Sequence, residues 1–206
     1  FMTINPKDLS DDLIAEMARN PAICPHLHLP AQSGSDNMLR AMNRRYTRKT
    51  YLDRVRALRA AMPDIGLSTD LIVAFPGETE EDFMDTLSLV EEVRFDSAFT
   101  FIYSPRSGTT AAKLPGRIDP DTARDRITRL IAVQEKITAE VFESLIGQEA
   151  QVLADGTSKR DETQLTGKTG RGIACNFEGQ AGQIGQIVPV TITGFGSNTL
   201  KAKQIM

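Results

Sequence analysis

Residues 68–79 read STDLIVAFPGET, an apolar and partly β-branched run that ends at a Pro-Gly turn. The composition of the run favours a strand, and Pro76-Gly77 breaks it. Thr79 and Asp82 then form a capping-box pattern, which marks the start of a helix with Phe83 among its apolar residues. The order of strand, turn and helix predicts one unit of a parallel sheet that is covered by helices.

The same order occurs on both sides of this segment. Residues 8–19 predict an amphipathic helix, residues 26–29 a short strand, and Ser35 and Thr47 are suited to cap the next two helices. Residues 98–103 predict a third, buried strand, and Asp119-Pro120 begins the longest helix. Its predicted apolar stripe is Ile127, Leu130, Ile131, Ile137, Val141 and Leu145. Such repetition predicts βαβ units in either an open doubly wound sheet or part of a β/α barrel.

After Gly147 the sequence changes character, because glycine becomes frequent and helical stripes disappear. Short alternating runs predict five strands joined by glycine turns, which is typical of a small closed barrel. These runs are residues 151–153, 164–167, 173–177, 188–193 and 200–205. We therefore predict an α/β domain over residues 1–146 and an all-β domain over residues 147–206.

The composition is that of an ordinary globular protein, with 206 residues and a formal net charge of -3. No apolar run approaches the ~20 residues of a membrane helix, and no signal peptide opens the chain. Cys24 and Cys175 match neither a metal-ligand spacing nor a disulfide framework, so we expect a cytoplasmic protein and no metal site. Because Phe1 precedes Met2, we expect the native N-terminus to lie elsewhere.

Polar residues follow each predicted strand, where ligands bind in parallel sheets and barrels. They are Gln32, Ser33 and Ser35 around Gly34; Glu78, with Asp70 inside its strand; and Tyr103, Ser104 and Arg106. One such cluster is better explained by turn and capping chemistry. Three in succession favour a ligand site.

Basic residues are concentrated between Arg40 and Arg59, and six more lie in the all-β tail. The first group either follows a phosphate backbone or forms the solvated face of a helix, and the sequence supports both readings. His26 and His28 share one side of a strand, but nothing nearby completes a metal set, which favours a core or rim position for both.

The sequence resembles the MiaB-type tRNA methylthiotransferases, a radical S-adenosylmethionine (SAM) family, along its whole length. The segments that carry the resemblance are HLHLPAQSGSD (residues 26–36), MNRRYT (42–47), STDLIVAFPGET (68–79) and FTFIYSPRSGT (99–109). The resemblance implies part of a radical SAM β/α (TIM-like) barrel, followed by a five-stranded, OB-like TRAM barrel that binds tRNA.

It further implies that a methylthio group is inserted into isopentenyladenosine beside the tRNA anticodon. SAM would act as cofactor with two 4Fe-4S clusters, of which one cleaves SAM and the other delivers sulfur. The matching cofactor positions are Gln32, Ser33, Asp70, Ala74, Glu78 and Tyr103. The substrate and RNA positions are Arg44, Arg45, Arg106, Lys159, Arg160, Lys168, Arg171, Lys201 and Lys203. No catalytic residue is assigned.

The sequence departs from the family pattern in three places. The cysteine triplet of the SAM-cleaving cluster is absent, and so is the domain of the second cluster, so we expect this chain to need the missing N-terminal part for activity. Ala74 stands where glycine is usual, and its methyl group narrows the approach of the cofactor. Lys168 replaces the usual arginine and loses the planar two-point contact with phosphate.

Three other functions compete with this interpretation. The related ribosomal-protein methylthiotransferases differ after the glutamine of the Gln32-Ser33-Gly34-Ser35 motif, whereas a threonylcarbamoyladenosine-specific relative shares it. A third alternative is a non-catalytic RNA-binding module. Since half a barrel exposes unpaired strand edges, we also predict that the isolated chain self-associates.

Overall fold

The structure is a computed structural model that describes residues 3–158 and 161–205. Its first part is an α/β unit of parallel strands and helices. The elements of this unit are α1 (Asp11–Arg19), β1 (His26–His28), α2 (Asp36–Ala41), α3 (Arg48–Ala61), β2 (Gly66–Val73), α4 (Glu80–Val93), β3 (Ser97–Ile102) and α5 (Pro120–Ser144). The predicted alternation of strands and helices is confirmed.

The three strands pair in parallel in the order β1-β2-β3. Ser68 is in register with His28 on one side and with Ser97 on the other. One face of the sheet packs against the helices through buried residues such as Leu27 and Leu71, because side chains alternate along a strand. The other face is the one that lines the interior of a β/α barrel, and here it is open.

The prediction that residues 98–103 form a buried strand is wrong in its burial. β3 is an edge strand, and Phe99 and Phe101 are 57% and 52% exposed. Both side chains lie on the open face of the sheet, which no described element covers. Aromatic and β-branched composition predicted the strand correctly, but it could not show which face is covered.

Side-chain caps begin the helices at the predicted positions. The side chains of Ser35, Thr47 and Thr79 accept hydrogen bonds from the first turns of α2, α3 and α4, and Thr79 and Asp82 form the full capping box. These caps satisfy amide groups that have no partner within the helix. They fix where each helix begins relative to the strand before it.

The predicted stripe of α5 is partly wrong. Ile131 is exposed, and the buried residues include three polar side chains. The buried set is Ala123, Arg126, Leu130, Gln134, Ile137, Thr138 and Phe142. Gln134 and Thr138 donate hydrogen bonds to the main-chain carbonyls of Phe95 and Asp96, which accounts for their burial.

The second part of the chain is a closed five-stranded barrel with strand order β4-β5-β6-β8-β7. Its strands are β4 (Glu149–Thr157), β5 (Gln164–Thr169), β6 (Ala174–Glu178), β7 (Ile187–Phe195) and β8 (Thr199–Gln204). All pairs are antiparallel except β6 with β8, which are parallel. The predicted five-stranded barrel is confirmed.

Helix α5 contributes to both hydrophobic cores. Leu130 and Ile137 belong to the core of the α/β unit, whereas Phe142 and Leu145 belong to the core of the barrel. Phe142 lies within the helix and Leu145 directly after it, and Phe142 packs edge-on against Phe195 of β7, with ring centroids 5.9 Å apart. The boundary that we propose between residues 146 and 147 lies in the turn after this helix.

Within residues 3–158 and 161–205, no helix combines the length and the apolar character that crossing a membrane requires.

Candidate functional site

The residues that follow the three parallel strands converge on one cleft of about 400 Å³, which we call the strand-end cleft. Its lining includes the predicted residues Gln32, Asp70, Tyr103 and Arg106. Its apolar side is formed by Ile72, Phe101, Ile102 and Ala111, and Ser104 and Thr109 complete it. A concave site with a few polar groups on an apolar wall is the usual form of a small-molecule site.

Two non-glycine residues at the strand ends have a left-handed backbone. Gln32 has a φ of 67° and Ala74 a φ of 58°. The Gln32 amide donates to the Asp70 carbonyl at 2.8 Å, and the Ile72 amide donates to the Gln32 carbonyl at 2.9 Å, so the first turn is attached to β2. Residues with side chains seldom adopt this conformation, and such strain is concentrated at ligand sites.

The loop after Gln32 packs against α4 and does not enter the cleft. The Ser33 hydroxyl lies 3.1 Å from the Thr86 hydroxyl, which also accepts the Gly34 amide at 3.0 Å. A Cβ atom on Gly34 would lie 2.3 Å from the Asp85 carbonyl oxygen, so only glycine fits there. The structure therefore places Ser33, which we predicted as a cofactor residue, beneath the cleft.

Asp82 connects this loop to the start of α4. One carboxylate oxygen accepts the Ser35 hydroxyl at 2.5 Å, and the other accepts the Thr79 amide at 3.0 Å and its hydroxyl at 2.8 Å. Burial acts to raise the pKa of Asp82, but these hydrogen bonds outweigh it and lower the pKa. The ionised Asp82 thus holds the first two strand-end loops together.

Glu78 is also buried, and its carboxylate supports the backbone of the site. Its Oε2 accepts the Ala74 amide at 2.7 Å and a guanidinium nitrogen of Arg126 at 2.8 Å. Burial raises the pKa of Glu78, while the Ala74 amide and Arg126 oppose the rise. Glu78 does not line the cleft. It acts on the site through Ala74, because its hydrogen bond to the Ala74 amide holds the left-handed backbone of that residue in place.

Tyr103 separates the strand-end cleft from a second cavity of about 390 Å³, which we call the side cavity. Ala74 lines the side cavity, together with Pro76, Ile102, Pro105, Arg117, Ile118, Pro120, Ala123 and Arg124. The Tyr103 ring packs edge-on against Phe75, and its hydroxyl is buried without a hydrogen-bond partner in the described part of the chain. An unpaired buried hydroxyl between two cavities is suited to receive a ligand group.

A row of polar side chains runs along the open face of the sheet. The Ser68 hydroxyl lies 3.3 Å from His26 Nε2 and 3.0 Å from His28 Nδ1, and His28 Nε2 lies 3.4 Å from an Asp70 carboxylate oxygen. Phe99 packs edge-on against His28. The two histidines lie on the barrel-interior face of the sheet, and the row ends at the strand-end cleft.

Most of the basic residues between Arg40 and Arg59 are engaged within the protein. Arg48 and Arg56 pair with Glu92, Arg54 pairs with Asp11, and Lys49 pairs with Asp53. Arg59 donates to the Val93 carbonyl. Among the described residues Arg44 and Arg45 form no ion pair, and they lie in the loop that Tyr46 ties to the end of β1 by donating to the Pro30 and Ala31 carbonyls.

Three of the predicted RNA-contacting residues share the outer face of the barrel, which we call the lysine face. Lys168 is in register with Ala174, which is in register with Thr199, so the alternation along β8 places Lys201 and Lys203 on the same side. No ion pair engages these lysines in the described part of the chain. Arg171 instead pairs with Asp96 of the α/β unit, and Lys159 and Arg160 lie outside the described residues.

No group of three or more His, Cys, Asp or Glu side chains in residues 3–158 and 161–205 is arranged to hold a metal ion. Cys24 is exposed, and Cys175 is buried in the barrel core, where burial raises the pKa of its thiol to about 11. These residues do not fit the ligand set of an iron-sulfur cluster.

Comparison with known proteins defines the class. Residues 1–90 match the family model of the Radical SAM superfamily, and residues 143–205 match that of the TRAM domain. Coproporphyrinogen III oxidase (HemN) from Escherichia coli, described as a radical SAM enzyme, has a similar fold with a TM-score of 0.57. The likeness covers 96% of this chain and 49% of that chain at 13% identity, so it shows the fold alone. Residues 1–90 thus belong to the radical SAM superfamily, and residues 143–205 form a TRAM domain.

Within this superfamily the chain is similar to the MiaB-type tRNA methylthiotransferases, as its motifs predicted. A tRNA-2-methylthio-N(6)-dimethylallyladenosine synthase of Thermoanaerobacter sp. (strain X514) is 46% identical over 100% of this chain and 44% of its own length. A protein of the same name from Alkaliphilus oremlandii (strain OhILAs) is 48% identical over 93% of this chain and 41% of its own length. The chain thus spans less than half the length of these curated relatives.

The sequence interpretation missed part of the site. Arg126 was not recognised, because nothing in its neighbouring residues marks it as buried against Glu78. The apolar wall at Ile72 and Phe101 was taken as strand core. The side-cavity residues that come from the loop before α5, Arg117 and Ile118, had no local signal.

Proposed function

We propose that this chain is part of a radical SAM methylthiotransferase that inserts a methylthio group into N(6)-dimethylallyladenosine of tRNA. The observation that carries the proposal is the convergence of Gln32, Asp70 and Tyr103 on one cleft, in a chain that also carries a TRAM barrel. The names of the full-length relatives give the reaction. We also propose that the protein is cytoplasmic, because tRNA is modified in the cytoplasm.

The strand-end cleft fits SAM in size and in chemistry. A volume of about 400 Å³ lies within the range of sites that enclose a small ligand. Asp70 offers a carboxylate for an ammonium or hydroxyl group, Arg106 a guanidinium for a carboxylate, and Phe101 an apolar ring for a purine. The unpaired Tyr103 hydroxyl is a further hydrogen-bonding group. We propose that Gln32 also contacts the cofactor, whereas Ser33, Ala74 and Glu78 act by shaping the backbone.

When bound, SAM and an iron-sulfur cluster supply the radical that an unactivated C–H bond requires. The described residues of this chain orient the cofactor and the nucleotide. The cluster ligands must come from elsewhere in the enzyme, since the described residues offer no group of three or more His, Cys, Asp or Glu side chains that could hold a metal. The side cavity, which is apolar beside Ala74 and Tyr103, is where we place the dimethylallyl group.

The lysine face and the Arg44-Arg45 loop are the proposed tRNA contacts, with Arg106 at the cleft. Unpaired lysines and arginines bind phosphates through charge, and each released counterion makes the affinity depend on salt. We include Lys159 and Arg160 in this surface on sequence grounds alone. Salt dependence is measured as the slope of the logarithm of the binding constant against the logarithm of the salt concentration. Replacing Lys201 and Lys203 together by Gln is expected to reduce the size of this slope by about 0.7–0.9 per lost phosphate contact.

The decisive experiment uses the full-length enzyme with its clusters reconstituted without oxygen. tRNA that carries dimethylallyladenosine, tRNA that carries threonylcarbamoyladenosine, unmodified tRNA and ribosomal protein are offered in parallel, and methylthiolation is measured by mass spectrometry. We expect product only with the first substrate. Product with another substrate would assign the enzyme to a related activity, and tRNA binding without product in any arm would favour a non-catalytic RNA-binding module.

A further inference from the structure

The turn between β5 and β6, residues 170–172, docks on the α/β unit through unusually close backbone contacts. A Cβ atom on Gly172, whose φ is 76°, would lie 2.9 Å from the His26 ring. A Cβ atom on Gly66, at the start of β2, would lie 2.8 Å from the Arg171 carbonyl oxygen. Glycine on both sides therefore allows the barrel to approach the base of the sheet more closely than side chains would permit.

Arg171 forms a two-point ion pair across this contact. Its Nε donates to one carboxylate oxygen of Asp96 at 3.0 Å, and a terminal nitrogen donates to the other at 2.8 Å. The side chain of Asp96 is 7% exposed and that of Arg171 is 23% exposed. Parallel hydrogen bonds of this kind fix both distance and orientation.

Asp96 is itself held in place by the α/β unit. Its amide donates to the Leu67 carbonyl at 2.9 Å, and its carbonyl accepts the Thr138 hydroxyl of α5 at 3.0 Å. The ion pair is therefore a second attachment of the barrel, separate from the packing of Phe142 against Phe195. A barrel that is held at one place can turn about the end of α5, whereas a barrel held at two places cannot.

We infer that Arg171 is a positioning residue that fixes the lysine face relative to the strand-end cleft. In this role one RNA contacts Lys201 and Lys203 while its target nucleotide reaches the cleft, and Arg171 itself does not contact RNA. The inference rests on the proposed function for its RNA ligand. It replaces the direct RNA contact that the sequence predicted for Arg171.

The docked turn is also connected to the cleft. Gly172 lies against His26, which is the first member of the polar row that continues through Ser68 and His28 to Asp70. Asp70 lines the strand-end cleft. The turn is thus in contact with the row of groups that leads to the proposed cofactor site.

The test compares Asp96→Asn, Arg171→Gln and the double variant in the 206-residue chain. Asp96→Asn separates positioning by Arg171 from direct RNA contact by Arg171, because it removes a negative charge yet breaks the ion pair. Direct contact predicts an RNA affinity that stays the same or rises, whereas positioning predicts one that falls. We expect Asp96→Asn to weaken binding of a tRNA anticodon stem-loop by roughly tenfold or more, since linked contacts lose avidity when their geometry is no longer fixed. The double variant is expected to match each single variant, because both substitutions remove the same interaction.

Domain orientation is measured independently of RNA by residual dipolar couplings. One alignment tensor is expected to fit both units of the unaltered chain, and two tensors are expected in Asp96→Asn. Arg56→Gln, which removes an exposed arginine paired within the α/β unit, is the matched control and should leave the single tensor unchanged. If the unaltered chain binds no tRNA, the proposed function loses support while the tensors still decide the role of Arg171.

Two results would overturn the inference. The first is an Asp96→Asn variant that binds RNA as well as the unaltered chain does while Arg171→Gln binds weakly, which would make Arg171 a direct contact. The second is a single tensor in Asp96→Asn. If this variant does not fold, Arg171→Lys keeps the charge and loses the two-point geometry, and unchanged orientation with unchanged affinity would then contradict positioning.

Discussion

The Glu78 carboxylate and the Arg126 guanidinium are 2.8 Å apart, and both side chains are almost completely shielded from solvent. Replacing Arg126 with Met leaves a buried carboxylate without its partner. We expect the free energy of unfolding to fall by about 3–5 kcal/mol, measured by urea unfolding at neutral pH. Arg129→Gln removes the more exposed pairs with Glu80 and Asp125 and should cost less than about 1 kcal/mol. Equal losses in the two variants would contradict a supporting role for Arg126.

Gly34 is expected to tolerate no side chain. In Gly34→Ala the added methyl group meets main-chain atoms of α4, with the Asp85 oxygen at 2.3 Å and the Thr86 Cα at 2.7 Å. Because backbone must move, we expect a loss of about 1–3 kcal/mol in urea unfolding. Gly182→Ala is the control, since nothing lies within 4 Å of its Cβ position. An unchanged stability of Gly34→Ala would show that the first strand-end loop moves freely.

His26 makes the stability depend on pH. Burial lowers the pKa of His26, and Asp96 opposes this effect, while His28, Lys168 and Arg171 reinforce it. In the unfolded chain His26 therefore takes up a proton near pH 6.5, whereas in the folded protein its lowered pKa opposes protonation. His26 thus reduces the free energy of unfolding as the pH falls below about 6.5. His26→Gln should flatten the pH dependence of the urea midpoint between pH 7.5 and 5.5. An identical pH dependence in the variant would refute this assignment.

The open face of the sheet is expected to bind a second copy of the chain. Phe99, Phe101 and Ile102 expose apolar surface along an edge strand, which invites association. We expect the apparent mass in light scattering to rise with concentration and Phe99→Ser/Phe101→Ser to reduce that rise. Ile187→Ser, at an exposed apolar residue of the barrel, serves as the control. A strictly monomeric chain at high concentration would contradict the prediction.

Local signals in the sequence predicted the elements and their order. Caps such as Ser35 and Thr79 mark helix starts through short-range hydrogen bonds, and the Pro76-Gly77 turn marks the end of a strand, so both can be read from a few neighbouring residues. The convergence of Gln32, Asp70 and Tyr103 followed from the direction of parallel strands. These features depend on backbone chemistry that is the same in any fold.

The remaining features depend on partners far apart in the sequence. Glu78 and Arg171 were predicted to contact ligands because each is charged and follows a strand or lies in a basic tail. The structure pairs Glu78 with Arg126 and Arg171 with Asp96. Periodicity also placed Ile131 in the stripe of α5, where Arg126 and Gln134 are buried and donate hydrogen bonds to Glu78 and to the Phe95 carbonyl. No local pattern reports such pairs.

Val141 packs against the hydrophobic residues of both units, and Phe142 is part of the barrel core. A barrel expressed from residue 147 would therefore lack Val141 and Phe142 and would expose apolar core residues to water or to another molecule. Any gene fusion that transplants this module must carry the final two turns of the preceding helix. In this protein the transferable barrel unit begins inside a helix, several residues before the glycine at which the composition changes.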